Sequence, residues 1–164
     1  ARLSKFCRVK LDASDNSPGW KFAQWEMKGV PLRLEIGPKD MEKDQCVLVR
    51  RTDREKLFCP LADLETAIPE QLGQISKQMY DRALENRKNR TFTATTMDEV
   101  MAIADKESGY IKTMWCGDEA CEEMMKEKVG LSSRCMPFEQ EHLSDVCPCC
   151  GKPAKAMVVW GKAY

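Results

Sequence analysis

Val9 and Leu11 alternate with Arg8 and Lys10 in CRVKLD (7–12), the period of two that predicts a short strand. A dense turn cluster, ASDNSPGW (13–20), follows it. PLRLEIGP (31–38) alternates more cleanly: Leu32, Leu34 and Ile36 face one way, Arg33 and Glu35 the other, with Pro31 and Gly37-Pro38 as bounds. QCVLVRR (45–51) has a continuous apolar middle, which predicts a buried central strand. From about Leu64 to Lys88 the period lengthens. Ile68, Leu72, Ile75, Met79 and Ala83 recur at steps of three and four, which predicts an amphipathic helix ending in the polar ENRKNR. After TFTATT, Thr96 and Glu99 form a capping-box pattern that opens a helix stopping by Gly109. YIKTMW (110–115) predicts a strand running into Cys116. DEACEEMMKEKVG (118–130) predicts a helix with Asp118 as N-cap and Gly130 just past its end, and AMVVW (156–160) a last strand. No repeat or low-complexity segment interrupts the series.

The length of 164 residues allows one domain or two small ones, and 43% hydrophobic with 32% charged residues is ordinary for a soluble globular chain. No apolar run approaches the roughly 18 residues that span a bilayer, so no membrane partner is expected. No secretory signal opens the chain, and a cytoplasmic setting is expected. The chain starts at Ala1 without an initiator Met, as a fragment or a processed protein would. The formal net charge of zero hides an asymmetry: residues 1–60 carry 13 Lys/Arg against 9 Asp/Glu, the remainder 13 against 17. A basic front permits a nucleic-acid partner without requiring one, because solvated surface charge gives the same count. His142 is the only histidine, and no P-loop, G-x-S-x-G or H-E-x-x-H is present, which removes the common hydrolase and nucleotide-binding signatures.

Nine cysteines cannot all pair, and without a secretion signal they read as reduced thiols or metal ligands. Cys116 and Cys121 stand as C-x4-C, and Cys147 and Cys150 as C-x2-C, about 25 residues further on. Two close pairs joined by a longer loop are the arrangement of a tetrahedral four-cysteine zinc site. CPCCG fits the knuckle pattern C-P-x-C-G: Pro148 bends the chain after the first sulfur and Gly151 permits a positive φ after the second. Cys149 then points away, and Cys121 lies in the first turn of a helix, where the dipole favours a thiolate. Other readings stand beside this one: Cys149 in place of Cys147, His142 in place of a cysteine, two disulfides, or a redox C-x2-C. Four thiolates leave no open coordination position, so the zinc is expected to be structural. Cys7, Cys46, Cys59 and Cys135 read as buried thiols.

The stretch SPGWKFAQWEMKGVPLRLEIGPKDMEKDQCVLVRR resembles the anticodon-binding domain of the prolyl-tRNA synthetases. WCG…C, RCMPF, CPCCGKPA and the final WGKAY are similar to the extra zinc-binding domain of the archaeal/eukaryotic type of that class II family. Together these motifs cover nearly the whole chain. The resemblance implies a mixed-sheet anticodon-binding domain over 1–75 whose first strand is missing, with Ala1–Lys5 as the end of its first helix. A linking helix and a small α/β zinc domain over 76–164 follow. It implies that Glu26, Arg33 and Lys56 read the two consecutive guanines of a proline anticodon, with Phe22 as a stacking platform. It further implies a role in ATP- and Mg-dependent ligation of proline to its tRNA by a full-length enzyme. That enzyme is expected to be a homodimer, its catalytic core lying outside this chain. Tyr164 is expected to support the active site there. The alternative is a stand-alone zinc-stabilised RNA- or protein-binding module.

Overall fold

The apolar run QCVLVR forms strand β2 (Gln45–Arg50), and every residue from Cys46 to Arg50 is buried. A strand covered on both faces needs hydrogen bonds on both edges. It receives them from β1 (Leu32–Glu35) and β3 (Lys56–Pro60), giving an antiparallel sheet of order β1-β2-β3. The computed structural model describes residues 2–162, and the chain divides at Arg82/Ala83 into two compact units. The division falls within the long helix α3 (Leu64–Asn89), which also contains the expected boundary at residue 75. Tyr164 and the role expected of it lie outside the described residues.

In the first unit the inward sheet face carries Cys46, Leu48 and Cys59, packed with Leu64 and Ile68 from the start of α3. Arg50 belongs to the same face. Its guanidinium is buried, and it is held by Asp53, Glu55, Gln71 at 2.9 Å and Gln74 at 2.7 Å. One buried charge thus ties the β2–β3 turn to α3. Helix α1 (Pro18–Met27) follows Ser17, whose hydroxyl accepts the Trp20 N–H at 3.4 Å, with Pro18 at the first helical position. α2 (Pro38–Met41) is one turn, opened by the Asp40 carboxylate on the Gly37 N–H.

The strand expected at CRVKLD is absent: residues 8–14 have no regular structure, and Val9 and Leu11 are 51% and 81% exposed. Alternation marks a segment able to pair, but an extended segment without a neighbouring strand gains no ladder bonds and stays irregular. Side chains fix the segment instead. The Trp25 indole donates to Asp12 at 2.7 Å, and the Ser14 hydroxyl donates to the same carboxylate at 2.6 Å.

The second unit is a four-stranded mixed sheet of order β4-β5-β7-β6. β4 (Thr91–Thr93) runs parallel to β5 (Tyr110–Trp115) and connects to it through α4 (Met97–Lys106). β7 (Ala156–Lys162) pairs antiparallel with β5 and with β6 (Leu131–Cys135), and α5 (Glu119–Val129) precedes β6. The predicted caps are in place. Glu99 N–H donates to Thr96 Oγ1 at 3.3 Å while the Glu99 carboxylate accepts from Thr96 N–H at 3.2 Å. Asp118 accepts from Ala120 N–H at 3.2 Å, and Gly130 closes α5 at φ 73°. Gly109, at φ 153°, is required by packing, since a Cβ there would lie 2.1 Å from the Arg90 carbonyl oxygen. The core is Val100, Met125, Leu131, Val158 and Trp160, and the buried Trp160 indole donates to Thr113 Oγ1 at 2.9 Å. Both units are α/β as expected; the mixed sheet is the second unit's, while the described strands of the first are all antiparallel.

The Ser14 and Trp25 hydrogen bonds hold the Asp12 carboxyl at about 2, below its usual 3.8. A depressed folded-state value means the contact is complete above about 4 and is lost as pH falls through about 2. The Trp25 indole N–H resonance is expected to titrate with a midpoint near 2 in acid NMR spectra, and Asp12→Asn is expected to abolish that titration.

A candidate nucleic-acid interface and a candidate metal centre

The register of the first sheet places Arg33 opposite Val49, and Val49 opposite Lys56. Side chains at paired positions share a face, so these three form one row on the face away from the Cys46–Leu48–Cys59 core. Arg33 and Lys56 are two strand spacings apart, roughly 10 Å. Phe22 and Glu26 are four residues apart in α1 and so lie on one helix face. That face meets Arg33: Nη1 donates to Glu26 at 2.7 Å, Nε donates to Glu35 at 2.7 Å, and the guanidinium carbon lies 3.9 Å from the centre of the Phe22 ring. Arg54 approaches the other Glu26 oxygen at 3.8 Å. The Arg33 bond holds the Glu26 carboxyl below its ordinary range, with Arg54 and Arg51 adding to it.

Phe22, Glu26 and Arg33 line a cavity of about 460 Å³ whose wall includes residues from both faces of β1. The structure therefore brings together three of the four residues expected to read an anticodon. Lys56 stands exposed at the far end of the same cross-sheet row, outside the cavity. The arrangement offers a planar cation on an aromatic ring, a carboxylate beside it and further basic groups at the rim. Such a surface can stack a base and hydrogen-bond its edge.

In the second unit Cys116 follows the last residue of β5, and Cys121 occupies the first turn of α5. Cys147 and Cys150 lie in a tight turn closed by Gly151 N–H on the Cys147 carbonyl at 2.9 Å, with Gly151 at φ 69°. The four sulfurs lie within 4.8 Å of one another, and Cys116 is 3.6 Å from both Cys121 and Cys150. Zn–S bonds of about 2.3 Å give a tetrahedral edge of about 3.8 Å, so the donor set and its spacing fit zinc. All nine cysteines are free thiols. Cys149 turns its Sγ toward the Cys121 carbonyl at 3.6 Å, outside the cluster, and His142 pairs with Asp145 at 3.0 Å. Burial and the neighbouring thiols raise the Cys121 thiol, a state that a divalent cation reverses by taking thiolates as ligands. Lys152 on the second pair's loop donates to the α5 N-cap Asp118 at 3.0 Å. Of the other cysteines, Cys46 and Cys59 are buried, Cys7 is half-buried and Cys135 is exposed; this corrects the expectation for Cys135, which ends β6 near the sheet margin.

Residues 1–71 match the family model "Anticodon binding domain", and residues 97–164 match "Prolyl-tRNA synthetase, C-terminal". Proline--tRNA ligase of Clostridium novyi is 60% identical over 99% of this chain, and proline--tRNA ligase 2 of Bacillus cereus 56% identical over all of it. The crystal structure of prolyl-tRNA synthetase from Cryptosporidium parvum complexed with L-proline and AMP superposes on 99% of the chain with a TM-score of 0.90 at 34% identity.

The chain belongs to the prolyl-tRNA synthetase family.

It spans about a third of the length of the relatives it matches, 34% of each ligase and 35% of the crystallised synthetase. Its synthetase anticodon-binding domain also carries Glu35, Arg51 and Arg54 around the predicted readers, three residues that sequence reasoning did not single out as site residues. For Glu35 and Arg51 a signal was present: both continue, at period two, the polar or outward positions of Arg33 and Val49. Arg54 sits in a turn at φ 60°, where periodicity gives no side-chain direction.

The Glu26 and Arg33 side chains retain 28% and 20% of their exposure, so their pairing is neither open to full solvent screening nor fully desolvated. A double-mutant cycle of Glu26→Gln and Arg33→Gln, read by thermal or urea unfolding, is expected to show weak coupling and a small loss for each single change. Strong destabilisation by either single change would mark a structural lock instead of a surface held ready for a ligand.

Proposed function

We propose that this chain reads the anticodon of proline tRNA for a longer proline--tRNA ligase. Proline anticodons carry two consecutive guanines. The observation that carries the proposal is the Phe22–Arg33–Glu26 constellation in the cavity wall of an anticodon-binding domain. Anticodon bases are single-stranded and can be splayed onto such a surface. Arg33 and Lys56 supply donors for guanine O6 and N7, Glu26 accepts from N1–H and N2–H, and Phe22 supplies an apolar platform. Arg33 is pre-positioned by two carboxylates and a ring, so little rotamer freedom remains to be lost on binding. Activation of proline with ATP and Mg, and the contacts of a homodimer, belong in this proposal to the catalytic part of the longer enzyme, working in the cytoplasm. No helix among the described residues is long and apolar enough to cross a membrane.

In the second unit Cys116, Cys121, Cys147 and Cys150 are proposed to hold one zinc ion. A filled four-thiolate site supplies structure and no open position for chemistry. These residues would clamp the N-terminus of α5 to the CPCCG turn, and metal-binding energy there is folding energy.

Two experiments test these assignments. Anticodon stem-loops of proline tRNA are expected to bind weakly and with marked salt dependence. Arg33→Ala is expected to reduce discrimination against a changed anticodon guanine by about 5- to 150-fold, the equivalent of one bidentate contact of about 1–3 kcal/mol. An equal loss for every anticodon would reduce Arg33 to a phosphate contact. For the metal, elemental analysis is expected to find one zinc per chain. Cys116→Ser is expected to lower that content and to increase amide exchange across the second unit, and Cys149→Ser to do neither. Full occupancy in the Cys116→Ser protein would defeat the four-cysteine assignment.

A further inference from the structure

Arg51 directly follows β2, and its backbone N–H donates to the Pro31 carbonyl at 2.9 Å. That bond continues the β1–β2 ladder by one step, so the Arg51 side chain falls on the face of Val49 and Arg33, opposite to Arg50. It lines the same cavity as Phe22, Glu26 and Arg33. Its Nε–H is buried and has no hydrogen-bond partner among the described residues. Native structures contain few such groups, and a guanidinium N–H is among the most unfavourable to leave unpaired. The neighbouring carboxylates already have cationic partners. Glu26 is taken by Arg33 and approached by Arg54, and Glu35 is taken by Arg33. By contrast Arg50, one residue earlier, is paired on every side.

We infer that Arg51 is a specificity-determining residue of the anticodon face: its guanidinium, whose buried Nε–H is unpaired in the free protein, reorients in the cavity to donate to the O6 of a guanine whose N1–H and N2–H are accepted by Glu26. The inference rests on the tRNA-reading proposal above. Its chemistry follows from the edge being read. The Watson–Crick edge of guanine presents two donors beside one acceptor, and a carboxylate beside a guanidinium is its complement. Arg51 and Glu26 line the same cavity, which places the two charges at one site. Adenine carries an amino donor where guanine carries O6, so with Arg51 in place two N–H groups would face each other and the base would be rejected. Arg33 has Nε and Nη1 committed to Glu35 and Glu26, so in this assignment its remaining N–H groups serve one guanine and Arg51 serves the O6 of the other, the one that Glu26 accepts.

The test uses the 164-residue protein and proline anticodon hairpins carrying guanine, adenine or inosine at each of the two guanine positions in turn, with binding read by fluorescence anisotropy. Inosine lacks only the N2 amine and so reports on Glu26. Arg51→Gln is expected to cut the guanine-over-adenine ratio about tenfold at one position while leaving the guanine-over-inosine ratio there unchanged. A preserved guanine-over-adenine ratio, or an equal loss for all three bases, would overturn the role given to Arg51 while leaving anticodon reading intact. A wild-type protein that binds all hairpins alike would overturn the anticodon reading itself and this inference with it. A measurement without substitution checks the same contact. 6-Thioguanine keeps N1–H and N2–H and weakens only the acceptor, so it is expected to lower wild-type affinity severalfold at that position, and unchanged affinity would overturn the assignment.

Discussion

The burial of β2 along its length is the constraint on which the first unit depends. A strand with Cys46, Val47, Leu48 and Val49 all out of water can be satisfied only by ladders on both edges, and its side-chain alternation then decides which face every neighbour serves. The consequences reach the proposed site directly. With Leu48 and Arg50 committed to α3, Val49 and Arg51 must face the other way, and the paired positions Arg33 and Lys56 must join them. A slip of one residue would bury Arg33 against α3 and bring Leu32 and Leu34 out. Fold stability and placement of the proposed readers are therefore one requirement, enforced by the same hydrogen-bond register.

The second unit meets a different difficulty. Between β6 and β7 lie twenty residues, 136–155, with no helix or ladder strand. So long a connection is costly to order unless something ties it down. Three ties are visible. Gln140 donates to the Met157 carbonyl and accepts from its N–H at 2.6 Å, occupying backbone groups that β6 no longer reaches. Val146 and Pro153 form an isolated bridge, and Cys147 and Cys150 close on Cys116 and Cys121. A cluster of thiols does here what a hydrophobic cluster does elsewhere, and a metal at its centre would convert weak sulfur contacts into strong ones.

Legibility in the sequence followed the strength of the local physical signal. Capping chemistry was readable because it is short-range: Thr96–Glu99, Asp118 and Gly130 each act within one helical turn. The strands at 32–35, 45–50, 110–115 and 156–162 were visible through alternation or continuous apolarity. Helix α1 was hidden because none of its residues is fully buried, so no apolar stripe marks it, and its opening Ser17-Pro18-Gly19 read as turn. β3, β4 and β6 were likewise passed over: KLFCP keeps only Cys59 buried, TFT is three residues, and LSSRC buries only Leu131. The reverse error at 7–12 has the same origin, since alternation reports the capacity to pair and says nothing of whether a partner is beside it. The reader residues came from resemblance to the family, because an arginine on the polar side of a strand carries no sign of its use.

The charge arithmetic of the proposed interface explains why it would need more than its proposed readers. Arg33 lies between Glu26 and Glu35, so that group of three side chains is net negative and on its own would repel an RNA backbone. Arg51, Arg54 and Lys56, arranged around it, reverse the sign. In the proposed site the acidic pair can then serve orientation, holding one guanidinium over Phe22 and offering a carboxylate to base donors, while the surrounding cations would supply attraction. Separating orientation from attraction lets a site discriminate between bases without binding every nucleic acid tightly, because the carboxylates that fix Arg33 also weaken non-specific hold on phosphate.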